Sequence, residues 1–242
     1  MLQSIKNKSA IITGASSGIG KATALALARE GVNLVLTARS ADKLAAICKE
    51  CMKYNIQAYY YAGDITDEQT SIETVKLAKE KFGKIDILIA NAGIGLVQDF
   101  LDSSMADYDR LMNTNMRGDY AICLHTIREM VKQHEGQVII TSSVTGIDAH
   151  GDETAYTATK FANRGFAHSL NEAFRPKGIK VCCMDPSATD TQFEIGNGRT
   201  KEENDASIML TSEDVADAMV FVCKQSKNAR IMEMRIASMA GN

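Results

Sequence analysis

The sequence has few of the features that mark several specialised classes of protein. Its 242 residues include only two prolines, and no proline-rich linker marks a domain boundary. No apolar run approaches the roughly 20 residues that a membrane-spanning helix needs. Neither sign of charge dominates, since 27 Lys and Arg residues stand against 30 Asp and Glu residues. A nucleic-acid-binding surface normally shows clustered basic charge, so we do not expect a nucleic acid as partner. Because no apolar run is long enough to span a bilayer, we do not expect a membrane as partner either.

The first residues are too few and too polar before the first apolar run to resemble a secretory signal. We therefore expect a cytoplasmic protein whose six cysteines form no disulfides. Cys48 and Cys51 form a C-x-x-C pair, which can indicate redox or zinc chemistry. The pair lies inside a helical pattern, and no histidine or second pair completes a zinc site. We interpret both cysteines as structural and expect no metal site.

Short β-branched runs alternate with longer amphipathic stretches along the whole chain. The runs predict strands at 10–13, 32–38, 56–62, 85–90, 138–142, 179–184 and 230–236. The amphipathic stretches predict helices at 19–30, 41–54, 68–82, 104–116, 120–134, 156–174 and 212–224. Strands without in/out alternation indicate a sheet that is covered on both faces. We predict an α/β protein with a doubly wound, mostly parallel sheet of about seven strands and helices on both faces.

One domain is expected to span residues 1–242, because no repeat or linker divides the chain. Residues 190–207 are polar and lack a strong period. Long loops are often functional, so we predict a mobile excursion there, at the substrate edge of the sheet.

Glycines at the end of the first predicted strand match a phosphate-binding turn. Gly14 permits the tight turn, Gly18 lets the backbone approach a pyrophosphate, and Gly20 allows close packing of the helix on the sheet. The free N–H groups and the dipole at the start of the following helix favour an anion. A plain strand-to-helix turn is the alternative interpretation.

A turn of this kind is found in folds that bind a dinucleotide such as NAD(H) or NADP(H). The end of the second predicted strand indicates which of the two is preferred. An acid often stands there and holds the ribose hydroxyls. Here Ala38 takes that place and Arg39 follows. A guanidinium can bind a 2′-phosphate that an acid would repel, so we predict NADP(H) in preference to NAD(H). The alternative is that Arg39 only begins a solvated helix.

Tyr156 and Lys160 are four residues apart in a predicted helix and so lie on one face. A free tyrosine has a pKa of about 10 and is a poor acid at neutral pH. A nearby ammonium favours the phenolate and lowers that pKa toward the working range.

Several motifs in order along the chain make the sequence resemble the short-chain dehydrogenase/reductase family, in its compact single-domain branch. They are the T-G-x-x-x-G-I-G at Thr13–Gly20, Asp64-Ile65 after the third strand, Asn91-Ala92-Gly93 after the fourth, Asn115 in a helix, Ser143 after the fifth, and Tyr156 with Lys160. The resemblance covers nearly the whole chain and extends to 3-oxoacyl-[acyl-carrier-protein] reductase-like members. It implies a single NAD(P)-binding Rossmann domain.

The resemblance also implies roles for four catalytic residues. Tyr156 would donate the proton to a carbonyl oxygen in reduction and accept it in oxidation. Ser143 would hydrogen-bond that oxygen. Lys160 would bind the nicotinamide ribose and lower the Tyr156 pKa, and Asn115 would hold a water that links Lys160 to solvent. Ser142 is a neighbouring candidate whose spacing from Tyr156 fits less well.

The cofactor site that the resemblance implies is wider than the glycine turn. Besides Tyr156 and Lys160 it would include Gly14, Ser16, Ser17, Gly18, Ile19, Gly20, Arg39, Asp64, Ile65, Asn91, Ala92, Gly93, Pro186, Thr189 and Thr191. Two positions depart from the family pattern. Ser187 replaces a glycine, which would disfavour a loop with positive φ. Ser17 stands where many NADP-selective relatives carry a basic residue.

The expected substrate is a small molecule with a carbonyl or secondary alcohol group. One alternative is 3-oxoacyl-[acyl-carrier-protein] reduction in fatty acid synthesis, for which an acidic carrier would need a basic docking face. Such a face could come from Arg128, Lys132, Arg164, Arg175 and Lys177. A different class of function is a non-catalytic NADP-binding redox sensor. The resemblance further implies a homotetramer or homodimer.

Overall fold

The apolar β-branched runs form one central sheet. The computed structural model describes residues 2–193, 195, 197–198, 200–201 and 209–239. The strands of these ranges are β1 Ser9–Thr13, β2 Asn33–Ala38, β3 Ala58–Ala62, β4 Ile87–Ala90, β5 Gly136–Thr141, β6 Ile179–Pro186 and β7 Glu233–Ile236. Their order is β3-β2-β1-β4-β5-β6-β7, and every pairing is parallel. The predicted doubly wound α/β fold is confirmed.

The helices of the described ranges are α1 Gly18–Arg29, α2 Ala41–Cys51, α3 Glu68–Phe82, α4 Met105–Met112, α5 Gly118–Gln133, α6 Thr154–Phe174 and α7 Ser212–Cys223. Side-chain caps mark where several of them begin. Asp67 accepts a hydrogen bond from the Gln69 N–H before α3, and Thr211 and Asp214 form a reciprocal capping box before α7. Such caps satisfy N–H groups that have no partner in the helix.

The two faces of the sheet carry separate apolar cores. One face packs against α1, α2 and α7 through residues such as Leu27, Leu44 and Val215. The other packs against α3, α5 and α6, with Val75 and Ile127 among the buried contacts. This double cover explains why the strands contain no regular polar alternation.

The structure corrects two predicted elements. The helix predicted at 104–116 ends at Met112, and a π-helical turn, Asn113–Arg117, joins it to α5. The last strand begins at Glu233 rather than at 230, because a turn closed by the hydrogen bond from Ala229 N to the Ser226 carbonyl precedes it. Part of the excursion predicted at 190–207 lies outside the described residues.

The six cysteines are free thiols, and five of them are buried. Burial raises the pKa of Cys48 to about 11 and that of Cys51 to about 12, so neither thiol is activated. Within the described ranges no cluster of His, Cys, Asp and Glu could hold a metal ion. No helix in those ranges is both long and apolar enough to cross a membrane.

Two glycines with left-handed backbone conformation follow α3 and the turn after α6. Because their surroundings differ, we expect their replacement by alanine to lower the free energy of unfolding by different amounts. Gly83 has φ +73° and open space around its missing Cβ, whereas a Cβ on Gly178, φ +82°, would overlap the His134 carbonyl oxygen. We expect Gly83→Ala to lower the free energy of unfolding by about 1 kcal/mol, because the left-handed backbone conformation is unfavourable for alanine and no clash adds to it. Gly178→Ala should cost at least about 2 kcal/mol, because the overlap adds to that term. Urea unfolding of both variants measures the difference, and equal losses would contradict this interpretation.

Candidate active site

The glycine turn lies where β1 ends and α1 begins. Gly14 has φ +63° and Gly18 has φ +49°, which L side chains rarely adopt. A Cβ on Gly14 would lie 2.9 Å from Ala92 Cα, and one on Gly20 would overlap the Gly14 carbonyl oxygen. The backbone therefore forms a close cradle at the start of α1, whose first turn carries no acidic side chain. These are the properties of a turn that receives a phosphate.

Thr13 ties this cradle to the end of β4. Its Oγ1 accepts hydrogen bonds from the N–H groups of Asn91 and Ala92, each at 2.9 Å, and the Asn91 amide donates to the Thr13 carbonyl oxygen at 3.2 Å. Two of the predicted cofactor motifs thus meet at the carboxyl edge of the sheet. This edge is where ligands bind in open α/β sheets.

The remaining predicted contacts of the adenosine half lie along the same edge. Arg39 directly follows β2, and Asp64 and Ile65 follow β3. The N–H of Thr66 holds the pKa of Asp64 below its usual value, and the Arg39 charge acts in the same direction. Ile65 is buried against the α-carbon of Gly118, where a Cβ would lie 3.0 Å from its side chain.

Tyr156 and Lys160 are both buried on α6, one turn apart. The Lys160 Nζ atom lies 5.5 Å from the centre of the Tyr156 ring and donates a hydrogen bond to the Thr141 carbonyl oxygen at 2.9 Å. The end of β5 thus holds the ammonium beside the phenol.

Asn115 joins this pair to the end of β4. It lies in the π-helical turn and is fully buried. Its Oδ1 accepts from the Ile94 N–H at 2.8 Å, and its Nδ2 donates to the Ile94 carbonyl oxygen at 2.9 Å and to Thr159 Oγ1 at 3.1 Å. A Cβ on Gly93 would lie 3.4 Å from Asn115 Oδ1 and 3.8 Å from Lys160 Nζ, so these three residues border one space.

The two serines after β5 have different roles in the structure. Ser142 Oγ donates to the Lys160 carbonyl oxygen at 3.0 Å and so supports the helix. Ser143 Oγ accepts from the Thr145 N–H at 3.1 Å, which leaves its own hydroxyl hydrogen available to donate. This difference favours Ser143 over Ser142 as the group that donates to a substrate oxygen.

The segment after β6 lies across the glycine turn. A Cβ on Gly18 would lie 3.0 Å from the Thr191 side chain, and Thr189 Oγ1 donates to the Ser187 carbonyl oxygen at 2.9 Å. Ser187, next to Pro186, stands where the family pattern has a glycine. Its φ is not positive, so a serine at this position causes no backbone strain. The ring of Phe193 lies 5.8 Å from that of Tyr156, at 59°.

Three buried polar residues near the site were not foreseen from the sequence. Thr159 supports Asn115, while Asp119 and Asn163 bond each other across α5 and α6. Burial raises the pKa of Asp119, and the Lys160 charge opposes this shift. No local signal separates such residues from polar groups on a helix surface.

The fold and these motifs define a Rossmann-type dinucleotide-binding protein. Residues 8–204 match the family model described as short chain dehydrogenase. The chain therefore belongs to the short-chain dehydrogenase family of oxidoreductases.

Similar proteins extend over almost the full length of the chain. An uncharacterized oxidoreductase of Staphylococcus saprophyticus is 30% identical over 234 residues, 96% of this chain and 97% of the relative. The structure of an alcohol dehydrogenase from the archaeon Thermococcus sibiricus, complexed with 5-hydroxy-NADP, is similar with a TM-score of 0.88 and 29% identity, covering 97% of this chain and 98% of that one. The 3-ketoacyl-(acyl-carrier-protein) reductase of Brucella melitensis, complexed with NADH, has a TM-score of 0.88 and 26% identity, with the same coverage.

Proposed function

We propose that this protein is an NADP(H)-dependent oxidoreductase that interconverts a carbonyl and a secondary alcohol, with Tyr156 as general acid and base. The observation that carries the proposal is the buried Lys160 ammonium, 5.5 Å from the centre of the Tyr156 ring. A positive charge at this distance favours the phenolate, so the phenol can exchange a proton near neutral pH.

The residues present fit a dinucleotide. The glycine turn forms a cradle that a Cβ at Gly14 or Gly20 would fill, and the start of α1 offers N–H groups without an opposing acid. Thr191 lies beside Gly18 and Lys160 borders Gly93, so both could contact the dinucleotide. When bound, the nicotinamide supplies or receives the hydride.

The side chains of the chain perform the proton chemistry. Tyr156 donates its hydroxyl proton to the carbonyl oxygen during reduction, and takes the proton back in oxidation. Ser143 donates a hydrogen bond to the same oxygen as negative charge develops on it. Asn115 holds the end of β4 beside Lys160. A water bound there would link Lys160 to solvent and carry the proton onward. Phe193 contributes an apolar wall over the Tyr156 ring.

The 3-oxoacyl carrier-protein alternative has less support from the charges. Of the five basic residues that could dock an acidic carrier, three are paired with acids. Arg164 binds Glu233 through two hydrogen bonds of 3.1 Å, Lys132 pairs with Glu129, and Arg175 pairs with Glu172. Such pairs reduce the positive potential of this face, so a small carbonyl compound remains the preferred substrate class.

We also propose that the protein works as a homotetramer or homodimer in the cytoplasm. Four large apolar or aromatic residues of α4, α5 and α6 are exposed, namely Met105, Tyr108, Tyr120 and Phe161. Exposed residues of this kind are enriched at interfaces between subunits. Buried, unpaired thiols agree with a reducing compartment.

Replacement of Tyr156 tests the reaction. We expect Tyr156→Phe to lower the rate of NADPH oxidation over a panel of ketones and aldehydes by at least about 10²-fold, because the proton donor is lost. Tyr59→Phe is the matched control, since the Tyr59 hydroxyl donates to Gln57 Oε1 at the surface, away from the site. Unchanged turnover in Tyr156→Phe would overturn the mechanism. NADPH binding by the unaltered protein with no turnover of any compound would favour the redox sensor.

Replacement of Arg39 tests the cofactor preference. Arg39→Asp should lower the ratio of kcat/KM for NADPH over NADH by about 10- to 100-fold, because a charge-assisted contact to the 2′-phosphate becomes a repulsion. Lys49→Asp makes the same charge change on an exposed position of α2 and should leave the ratio unaltered. An unchanged ratio in Arg39→Asp would assign the preference to other residues.

The assembly is tested at two equally exposed phenylalanines. Phe161 on α6 is 44% exposed and Phe221 on α7 is 43% exposed. Light scattering should show a tetramer or dimer for the unaltered protein and for Phe221→Glu, and smaller species for Phe161→Glu, which buries a charge in the interface. A monomeric unaltered protein would refute the proposed assembly.

A further inference from the structure

A buried carboxyl on α5 faces α6 near the catalytic lysine, and the proposed mechanism does not use it. Asp119 lies in the first turn of α5 and is only 1% exposed. Its Oδ2 accepts a hydrogen bond of 3.1 Å from Nδ2 of Asn163, which is fully buried on α6. Asn163 follows Lys160 by three residues, so it lies on the same side of α6.

This pair repeats, one turn further along both helices, the contact that fixes Asn115. Asn115 donates to Thr159, and Asp119 and Asn163 each follow those residues by four positions. Two buried polar contacts therefore connect the π-helical turn and α5 with α6. Lys160 lies between them in sequence, so both contacts fix the part of α6 that presents its side chain.

Within the described ranges, Lys160 is the opposite charge that acts on Asp119. Burial raises the pKa of Asp119, while the Lys160 ammonium and the Asn163 hydrogen bond act in the other direction. In the described part of the chain, Asp119 Oδ1 has no hydrogen-bond partner. A buried carboxylate with one unsatisfied oxygen is costly unless a positive charge is near.

Among the residues that the structure describes, the other titratable groups on elements packed against α5 offer no such charge. The thiol of Cys123 lies one turn further along α5, and its pKa is raised by burial and by Asp119 itself. The strands packed against α5 contribute apolar side chains such as Leu88 and Ile140. Two charged residues of α3 pair with α5 further along that helix, Glu68 with His125 and Lys79 with Glu129.

We propose that Asp119, held by Asn163, is a positioning residue for the Tyr156–Lys160 pair, and that its carboxylate limits how strongly the Lys160 ammonium stabilises the Tyr156 phenolate. The inference rests on the proposed function, because it assigns the proton transfer to Tyr156. The negative charge keeps Lys160 in its ammonium form and weakens the field of that ammonium at the phenol. Carbonyl reduction needs the protonated phenol. Asp119 therefore raises the upper limit of the pH range in which Tyr156 can donate a proton.

Asp119→Asn tests this role, since it keeps the shape of the side chain and removes the charge. We expect the Tyr156 phenolate to form at a pH about one unit lower than in the unaltered protein. The phenolate is followed by ultraviolet absorbance during a pH titration, as the difference between each protein and its Tyr156→Phe counterpart. Asn163→Ala, which removes the hydrogen bond that stabilises the ionised carboxylate, should give a smaller shift in the same direction. It also provides the test if Asp119→Asn does not fold.

Asp86→Asn is the matched control, because it removes a buried acid at the amino end of β4, at the opposite edge of the sheet. It should leave the Tyr156 titration unchanged. A titration of Asp119→Asn that coincides with that of the unaltered protein, or moves to higher pH, overturns the proposal. The readout needs neither substrate nor cofactor, so an absence of carbonyl turnover would refute the proposed function and still leave the role of Asp119 measurable.

Discussion

The geometry of the site depends on the hydrogen bonds of the Asn115 side chain, which hold the end of β4 and α6 together. One amide bonds both the N–H and the carbonyl oxygen of Ile94, beyond the end of β4, and also reaches Thr159 on α6. The strand end that borders the glycine turn and the helix that carries Tyr156 and Lys160 are therefore joined through a single buried group. Removal of that group would leave the peptide groups of Ile94 without these partners, at a cost of about 1–3 kcal/mol each where they are buried.

The π-helical turn brings Asn115 into this position. A π-turn contains one more residue than the corresponding α-turn, and such turns occur frequently at functional sites. Here it lies between α4 and α5 and turns Asn115 toward the interior, while α5 continues in regular helical form from Gly118. Asp119, four residues after Asn115, then faces the same helix.

Much of the fold could be predicted because its determinants are local. Apolar runs without alternation identify strands covered on both faces, and the spacing of Gly14, Gly18 and Gly20 places the turn that β1 and α1 then form. The π-turn could not be predicted, since the hydrophobic pattern separates two helices near residue 117 but does not distinguish a loop from a π-helical turn. The partners of Ser142, Asp119 and Asn163 depend on how α5 and α6 meet the sheet, and a single sequence contains no separate signal for that.

Two buried acids, Asp119 and Asp185, reduce the stability of the folded protein. Burial raises the pKa of Asp185, at the end of β6, to about 6, and its Oδ1 accepts a hydrogen bond of 3.2 Å from the Cys183 thiol. A carboxyl whose folded pKa lies above its unfolded value of 3.8 contributes its full stability below that value. The contribution falls as the pH rises and is lost above about 6, because the native state then holds a charge that water would solvate better. An apolar side chain would avoid this cost but would leave the Cys183 thiol without that partner. Asp185 at the end of β6 and Asp119, which holds Asn163 of α6, therefore both lower the stability of the folded protein near neutral pH.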